Sequence, residues 1–414
     1  MKPAGRLEPQ PWMTADATRA VMGALSADGS TPRFVGGCVR DALLDRAVKD
    51  VDIATPDAPE TVIRKLSLAD LKSVPTGLKH GTVTAIASGY PYEVTTLRQD
   101  VETDGRHAEV AFTDDWVEDA MRRDLTINAI YCDADGTLYD PVGGLADVRA
   151  GQVRFVGEAA ERIAEDVLRI LRFFRFFAHY GQGDIDTEGY AACRKQAHLL
   201  HGLSAERVSA ELLRTLAADD PAPTFRLMWD AGVLARVLSG AIHLDHLNRL
   251  IDIEKLVDQP DPLRRLFALR LPEETEVATL AGHLRLSKTQ KQRLSGMARR
   301  PDDLTPEIKD KGLRRILYVT AVQTVLDQAF VKQMLDEASS SGSAADWNGL
   351  RARVQDWQPR PLPVQGQDVL DLGIPAGPDV GVIVRQLEQW WIECDFRPDR
   401  TACLDKLKTL IPGS

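Results

Sequence analysis

The hydrophobic pattern of this chain changes character at Gly157. Before that residue, short apolar runs bounded by turn residues predict strands at 33–35 and 51–55 and a hairpin made of 82–87 and 92–97. After it, apolar residues recur at helical spacing, and no run is convincing as a strand. The sequence therefore predicts an α+β chain, in which a small mixed sheet with flanking helices is followed by an all-α remainder.

Helical spacing also gives the expected helices on either side of that change. They are predicted at 18–25, 60–68, 158–180, 205–218, 222–238 and 244–256. A run rich in serine and glycine, Ser339–Ala344, predicts a flexible loop or linker. A chain of 414 residues with this organisation is expected to contain about two to four domains.

Composition narrows the class of protein. The chain is 44% hydrophobic and 27% charged, and no apolar run approaches the ~20 residues that cross a bilayer. The segment Met1–Trp12 contains three prolines and lacks the apolar core of a secretory signal, so a cytoplasmic location is expected. Five cysteines lie apart without C-x-x-C spacing, which indicates reduced, mostly buried thiols rather than disulfides or a structural zinc site.

The formal net charge of −10 is unusual for a protein that binds nucleic acid, but the basic residues are unevenly distributed. Between Arg285 and Arg315, ten lysines and arginines stand against four acidic residues. This local excess fits either a solvated helix face or a surface that contacts a nucleic-acid backbone, and the sequence leaves both interpretations open.

Asp50 and Asp52 flank Val51 in a predicted strand. Because side chains alternate along a strand, both carboxylates point to one face, about 6–7 Å apart at ~3.3 Å per residue. Such a pair repels itself in a partly desolvated site unless divalent cations neutralise it, and two cations about 4 Å apart could clamp an attacking hydroxyl and the α-phosphate of a nucleoside triphosphate. Glu93, in the segment 93–97, is the candidate third carboxylate. Taken alone, a D-x-D pair fits an exposed edge strand at least as well.

Gly36 and Gly37 follow a predicted strand, and Arg40 comes within a turn at the start of a predicted helix. Glycines let the backbone approach a triphosphate closely, helix N-terminal amides favour anions, and Arg40 adds a charged donor. A plain glycine turn is the alternative. The spacing matches neither a Walker loop nor a dinucleotide fingerprint.

The ordered motifs of the first half of the chain resemble those of one enzyme family. The matching segments are Phe34–Leu44, Lys49–Thr55, Thr76–Thr84, Glu93–Arg98, Asp104–His107, Arg122–Ala129, Glu165–Arg169 and Glu206–Leu212. In content and order they resemble class II tRNA CCA-adding enzymes and bacterial poly(A) polymerases, members of the polymerase β-like nucleotidyltransferase superfamily. A weaker likeness covers Gly366–Pro378 near the C-terminus.

The resemblance implies a reaction and a set of site residues. The expected reaction is template-independent, two-metal addition of C, C and A from CTP and ATP to the 3′ end of tRNA, with Mg²⁺ as the cofactor. The metal ligands of the family fall on Asp50 and Asp52, and its third catalytic carboxylate falls on Glu93. The nucleotide-binding positions fall on Gly36, Gly37, Arg40, Arg123, Asp166, Arg169, Arg172 and Arg175. Asp124 and Asn128 take ribose-side or structural roles, and a simple helix cap is the alternative for Asp124.

Asp166 and Arg169 have the clearest chemical meaning within this resemblance. On a predicted continuous helix they are three residues apart, so both side chains reach the same small target. An ionised aspartate only accepts hydrogen bonds and an arginine only donates, which suits the pairing edges of C and A and opposes those of U and G. An ordinary surface ion pair is the alternative. Arg172 and Arg175 continue at the same spacing and drift around the helix by about 60° per step.

The same family contains enzymes with other products. The segment Thr76–Thr84 resembles CCA-adding enzymes, whereas poly(A) polymerases of the family have a basic G-[RK]-[RK]-F segment there and a long basic C-terminal extension. Asp104–His107 lies where the family has the flexible loop needed for the switch from C to A, which favours complete CCA addition over separate CC-adding or A-adding enzymes. Some relatives also carry a phosphohydrolase domain that contains a His-Asp doublet. The nearest cluster in this chain, His243, Asp245 and His246, lacks that doublet, so phosphohydrolase activity is not expected.

Two functions of other classes remain as alternatives. A catalytically silent RNA-binding module would lack Asp50, Asp52 or Arg169, and a small-molecule nucleotidyltransferase would not need the helical remainder.

The predicted domains are a nucleotidyltransferase head at 1–150, a helical neck with the nucleotide-recognition helix at 151–220, a tRNA-binding body at 221–345 and a tRNA-binding tail at 346–414. The expected partners are tRNA, CTP and ATP, without a membrane or an obligate protein partner.

Overall fold

The computed structural model describes residues 1–103, 108–336 and 344–411. The loop motif Asp104–His107 lies outside the described residues, and so does most of the predicted linker Ser339–Ala344. Both features therefore stay predictions.

The chain divides into two compact units, Met1–Gly240 and Ala241–Ser414. All of the described strands lie in the first unit, and the described residues of the second unit form helices and their connections. This distribution confirms the predicted α+β class, while the division into four domains stays a prediction. No helix among the described residues is both long enough and apolar enough to cross a membrane.

The strands of the first unit are short. They are β1 (Gly5–Arg6), β2 (Arg33–Val35), β3 (Val51–Thr55), β4 (Lys72–Gly77), β5 (Thr82–Ala87), β6 (Tyr90–Thr96), β7 (Arg98–Thr103), β8 (Ala108–Phe112), β9 (Tyr131–Cys132) and β10 (Thr137–Tyr139). Eight of them form one sheet in the order β1-β10-β9-β2-β3-β6-β5-β4, and β7 pairs with β8 separately. Within the described part of the large sheet, β3 and β6 run parallel and the other pairs are antiparallel, so the sheet is mixed as predicted.

The alternation of side chains along β3 and β6 decides which residues face outward from the sheet. In β3, Val51 and Ile53 are buried, whereas Asp52 between them is half-buried. In β6, Val94 is buried and Glu93 is exposed. The apolar residues fill the core, and the two carboxylates are left on neighbouring strands.

Twelve α-helices accompany these strands in the described part of the first unit. They are α1 (Pro11–Thr14), α2 (Asp16–Leu25), α3 (Gly37–Leu43), α4 (Pro59–Leu68), α5 (Trp116–Met121), α6 (Gly144–Ala150), α7 (Ala159–Glu165), α8 (Leu168–Tyr180), α9 (Thr187–Gln196), α10 (Ala205–Leu216), α11 (Ala222–Asp230) and α12 (Leu234–Val237). The helices predicted at 18–25, 60–68 and 205–218 are confirmed with small shifts of their ends.

The continuous helix predicted at 158–180 is wrong. α7 ends at Glu165, Asp166 is extended with φ −147° and ψ 106°, and α8 begins at Leu168. The carboxylate of Asp166 accepts the Leu168 amide N–H at 3.1 Å, so it satisfies a donor of the first turn of α8. Asp166 therefore stabilises a helix start where apolar periodicity alone indicates helix interior.

The helix predicted at 222–238 is also wrong as a single element. It is divided into α11 and α12, and Gly232 lies between them with a φ of +72°. A left-handed residue of this kind ends a helix, and glycine adopts it without a Cβ clash.

The described part of the second unit consists of helices and the segments that connect them. They are α13 (Leu244–Val257), α14 (Pro262–Arg270), α15 (Glu274–His283), α16 (Lys288–Ala298), α17 (Asp310–Val319), α18 (Val322–Leu335), α19 (Ala344–Gln355), α20 (Gly366–Asp371), α21 (Pro378–Glu393) and α22 (Arg400–Leu410). A buried ion network joins four of them: Arg264 of α14 pairs with Glu254 of α13 and with Asp327 of α18, which also pairs with Arg293 of α16. The helix predicted at 244–256 is confirmed.

Candidate active site

A cavity of about 380 Å³ lies in the first unit. Its lining residues are Val35, Asp52, Ile53, Glu93, Thr95, Arg98, Arg122, Arg123, Asp124, Asp166, Leu168, Arg169, Arg172 and Arg207. These residues come from strands of the large sheet, from the start of β7, from the segment after α5, and from α8, α10 and the junction before α8. The wall thus combines carboxylates with a larger number of arginines, a composition that suits a polyanionic ligand held together with a cation.

Asp52 and Glu93 are neighbours in this wall. They are register partners on the parallel strands β3 and β6, so their side chains leave the sheet on the same face. Burial and the charge of Glu93 raise the pKa of Asp52 to about 6; Asp50 adds to this effect, and Arg123 and Arg40 oppose it. The negative charge of Asp52 is therefore disfavoured in the protein alone, and a divalent cation would relieve that cost.

Asp50 lies one residue before β3 and is exposed. It is close enough to influence the pKa of Asp52, but it does not line the cavity. Across the described ranges of the chain, no three His, Cys, Asp or Glu side chains converge closely enough to hold a metal ion. The structure therefore brings Asp52 and Glu93 together at the cavity and leaves Asp50 beside them.

The glycine turn follows β2 directly. Gly36 has a φ of +71°, a left-handed conformation that side chains disfavour, and α3 begins at Gly37. Arg40 of α3 is buried, and its guanidinium donates to Asn128 Oδ1 at 2.6 Å and to the Tyr180 hydroxyl at 2.8 Å. Arg40 thus joins α3 to α8 from outside the cavity lining, and its contact with a triphosphate stays a prediction.

Arg123 lines the cavity together with Arg122, and one carboxylate holds both. Arg123 donates to Asp119 Oδ2 at 2.9 Å, and Arg122 donates to Asp119 Oδ1 at 2.6 Å. The Arg123 Nη1 group also donates to the Asn128 carbonyl at 3.3 Å. The predicted nucleotide position Arg123 is therefore at the cavity, with its orientation set by buried acceptors.

Asp166 and Arg169 both line the cavity, although the helix predicted to carry both begins only after Asp166. Asp166 accepts from Arg207 of α10 at 2.7 Å. Arg169 donates to Glu165 and, at 3.0 Å each, to the carbonyls of Arg162 and Arg122. In the described contacts the acceptor and the donor are thus held by different partners and do not pair with each other.

Arg172 and Arg175 separate as the helical drift predicts. Arg172 lines the cavity and forms an ion pair with Asp124 at 2.6 Å. Arg175 does not line the cavity and donates to Glu211 of α10 at 2.5 Å. Asp124 also accepts from the side-chain amide of Asn128 at 3.2 Å, and burial, which would raise its pKa, is outweighed by Arg172, so the pKa is lowered. Asp124 is thus a buried, charged link between Arg172 and the segment after α5.

Three arginines of the lining were not among the predicted site residues: Arg98, Arg122 and Arg207. Each lies inside a segment that carries the family resemblance, so the signal was present in the motif and lacked only an assigned role. Arg207 stands out because its partner, Asp166, is 41 residues away in the chain. No local spacing predicts such a contact.

Comparison with known proteins gives consistent matches. The model of the poly(A) polymerase head domain matches residues 32–154, and that of the probable RNA- and SrmB-binding site of polymerase A matches residues 184–243. The mitochondrial CCA tRNA nucleotidyltransferase 1 of Mus musculus is 35% identical over 91% of this chain and 86% of its own length. The CCA-adding enzyme of Levilactobacillus brevis is 32% identical over 90% of this chain and 92% of its own. The crystal structure of the Bacillus stearothermophilus CCA-adding enzyme in complex with CTP has a TM-score of 0.74 at 26% identity, covering 97% of this chain and 98% of that one.

Proposed function

Because this chain belongs to the family of CCA-adding tRNA nucleotidyltransferases, we propose that it adds C, C and A from CTP and ATP to the 3′ end of tRNA without a template. One structural observation supports the proposal independently of the sequence similarity. A single cavity is lined by Asp52 and Glu93 and also by Asp166 and Arg169. The first pair suits phosphoryl chemistry, and the second suits recognition of a base.

The chain's own residues divide the reaction between them. Asp52 and Glu93 present negative charge where the tRNA 3′-hydroxyl meets the α-phosphate. Arg122 and Arg123 line the same cavity, with Arg123 close enough to Asp52 to oppose the rise in its pKa, and their positive charge favours binding of the triphosphate. The reaction joins the 3′-oxygen to the α-phosphorus, breaks the bond from the α-phosphorus to the oxygen that bridges the α- and β-phosphates, and releases pyrophosphate and the hydroxyl proton.

The carboxylates also fit a hard divalent cation, which the family uses. We propose Mg²⁺ as that cation, with Asp52, Glu93 and the adjacent Asp50 as the residues that would hold it. When bound, it supplies activation of the hydroxyl and neutralises charge on the triphosphate. The raised pKa of Asp52 supports this proposal, because burial and the neighbouring Glu93 disfavour its charged form in the protein alone.

Base selection follows from the two side chains at the start of α8. The carboxylate of Asp166 accepts from an exocyclic amino group, and the guanidinium of Arg169 donates to an unprotonated ring nitrogen. C and A each offer that pair of groups, whereas U and G offer the reverse. Since Arg169 is held by Glu165 and two backbone carbonyls, its donors are fixed before a base arrives.

The proposed function is tested by incubating the full chain with Mg²⁺ and a tRNA transcript that ends at the discriminator base, followed by sequencing of the 3′ ends. CTP with ATP should give CCA, and CTP alone should stop at CC. A homopolymer of A from ATP alone would indicate a poly(A) polymerase, and arrest at CC with both nucleotides would indicate a CC-adding enzyme. No addition under any mixture would reject the proposal.

The predicted cytoplasmic location stays a prediction, since the Mus musculus relative is named as a mitochondrial protein.

Six of the ten basic residues between 285 and 315 form ion pairs, line a cavity, or do both. Arg293, Arg299, Arg300 and Arg314 form ion pairs with acidic residues. A second cavity, of about 600 Å³ in the second unit, is lined by Lys288, Lys291, Gln292, Ser295, Gly296, Arg299, Val319, Thr320, Ala321 and Thr324. Its lining, as far as the structure describes it, includes lysines and an arginine but no acidic residue, so we propose that this groove contacts the tRNA backbone.

Reversing the charge of both groove lysines is expected to weaken tRNA binding by about tenfold or more at low salt. The K288E/K291E double variant should also lower the slope of log Kd against log salt by about one unit per lost lysine contact. The matched control is K309E/K311E, which makes the same charge change on exposed lysines of the same segment away from the groove. Equal losses in both variants would show a general charge effect and reject the groove.

A further inference from the structure

Asp119 of α5 is 1% exposed and does not line the active-site cavity, yet it bonds to two arginines that do. Arg122 donates to Oδ1 through Nε at 2.9 Å and Nη2 at 2.6 Å. Arg123 donates to Oδ2 through Nε at 3.2 Å and Nη2 at 2.9 Å. One buried anion therefore holds both guanidinium groups, each through two N–H donors.

The carboxylate of Asp119 also accepts hydrogen bonds from two strands. The Tyr131 hydroxyl of β9 donates to Oδ2 at 2.8 Å, and the Arg98 amide at the start of β7 donates to Oδ1 at 3.4 Å. The segment it holds also supports a third cavity arginine, because the Arg122 carbonyl accepts from Arg169 at 3.0 Å. Asp119 thus holds the side chains of two of the six cavity arginines and supports a third through the backbone.

The charge of Asp119 is maintained by the residues it holds. Burial would raise the pKa of this carboxyl, but Arg123 and Arg122 outweigh it, and the pKa lies well below its usual range. Packing alone would be satisfied by an uncharged side chain at this site. The carboxylate is instead matched to two guanidinium groups whose other sides reach the cavity.

We propose that Asp119 is a positioning residue for nucleotide binding, which from behind the cavity wall fixes Arg122 and Arg123 in the orientation in which they meet the incoming nucleotide. The inference rests on the proposed function. A guanidinium that is already oriented loses little side-chain freedom when a phosphate binds, so affinity depends on the anchor although the anchor touches no ligand.

The D119N variant tests this role because the amide keeps the shape of the side chain but removes its charge and one acceptor. We expect KM to rise about tenfold or more for both CTP and ATP, with a smaller change in kcat. A purely structural role would lower the melting temperature and leave KM unchanged. A role in neutralising excess positive charge would lower KM, because D119N leaves both arginines uncompensated. Either of these two results would overturn the proposal.

A control variant separates positioning from loss of stability. D147N makes the same chemical change at a carboxylate that is 4% exposed, pairs with Arg154 at 2.7 Å and lies outside the cavity lining. It should lower the melting temperature with KM near that of the wild type. A rise in KM equal to that of D119N in this control would contradict the proposal. Y131F is not a control of this kind, because the Tyr131 hydroxyl donates to Asp119 and also accepts from Arg123 Nε at 3.3 Å.

Coupling provides a second line of evidence. If Asp119 acts through Arg123, the effects of D119N and R123Q on KM combine to less than their product, whereas full multiplication would overturn the proposal. If D119N does not yield folded protein, D119E replaces it: the charge stays but the carboxylate moves by one methylene, and an unchanged KM for D119E would overturn the proposal.

The dissociation constant of CTP, measured by titration calorimetry without tRNA, keeps this test separate from the test of the proposed function. A wild-type protein that binds CTP but adds no nucleotide would reject the function. The affinity of D119N for CTP would still decide the role of Asp119, with an unchanged affinity counting against it.

Discussion

The Asp52→Asn variant is expected to lose nucleotide addition by about a thousandfold or more in kcat while remaining folded. Asp52 is the half-buried carboxylate that faces the cavity beside Glu93, and an amide of the same shape cannot supply its charge to a cation or to the reacting hydroxyl. The fold should tolerate the change, because burial and Glu93 already disfavour the charged form of Asp52, as its raised pKa of about 6 reflects.

The measurement is single-turnover addition of C to a tRNA transcript, with the melting temperature recorded for each variant. Asp184→Asn is the matched control, since it makes the same change at an exposed aspartate outside the cavity lining. Near-normal addition by D52N would reject the role of this carboxylate. A large loss in D184N would show that the assay responds to something other than the site.

The sheet illustrates how far a sequence pattern can predict a fold. β3, β5 and β6 are long enough, at five to seven residues, to form recognisable apolar runs between turn residues, and all three were predicted. β1 and β9 have two residues each, too few for any periodicity. Their pairing depends on tertiary contacts, so they could not be predicted, and neither could the order of strands in the sheet.

At the cavity, the sequence indicated which residues lie together more reliably than how they are arranged. Asp166 and Arg169 line the cavity as expected, but the helix that was predicted to bring them together is interrupted between α7 and α8. The prediction treated Asp166 as helix interior, whereas its carboxylate accepts the Leu168 amide and favours a new helix start. Apolar spacing alone does not reveal where a side-chain acceptor such as this carboxylate binds a backbone amide and starts a new helix.

The arginines show a second limit of prediction from sequence, which is pairing between residues that lie far apart in the chain. Arg40 bonds to Asn128, 88 residues away, and Arg175 bonds to Glu211, 36 residues away. These partners direct both guanidinium groups away from the cavity lining. A spacing argument places an arginine near a ligand but cannot tell which buried carboxylate or amide holds its side chain instead. The nucleotide contacts predicted for these two residues therefore stay predictions.

The Arg169→Ala variant is expected to reduce discrimination of CTP and ATP against UTP by about ten- to a hundredfold. Arg169 is the donor of the proposed base-reading pair, and Asp166 alone cannot distinguish which ring nitrogens carry a proton. Its loss should raise KM for the correct nucleotides, while UTP, which opposes its imino N–H to that guanidinium, should be rejected less strongly, by Asp166 alone. The measurement is kcat/KM for each of the four nucleotides on a tRNA that ends at the discriminator base.

Arg175→Ala is the decisive comparison, because it removes an arginine from the same helix at a position outside the cavity lining. Glu211, which is 3% exposed, would lose its ion pair with Arg175, so this variant should be less stable yet keep the C and A preference of the wild type. If R169A keeps full selectivity over UTP, the base-reading role of Arg169 is wrong. If R175A loses selectivity as strongly as R169A, selection depends on the packing of α8 as a whole and not on a single guanidinium facing the base.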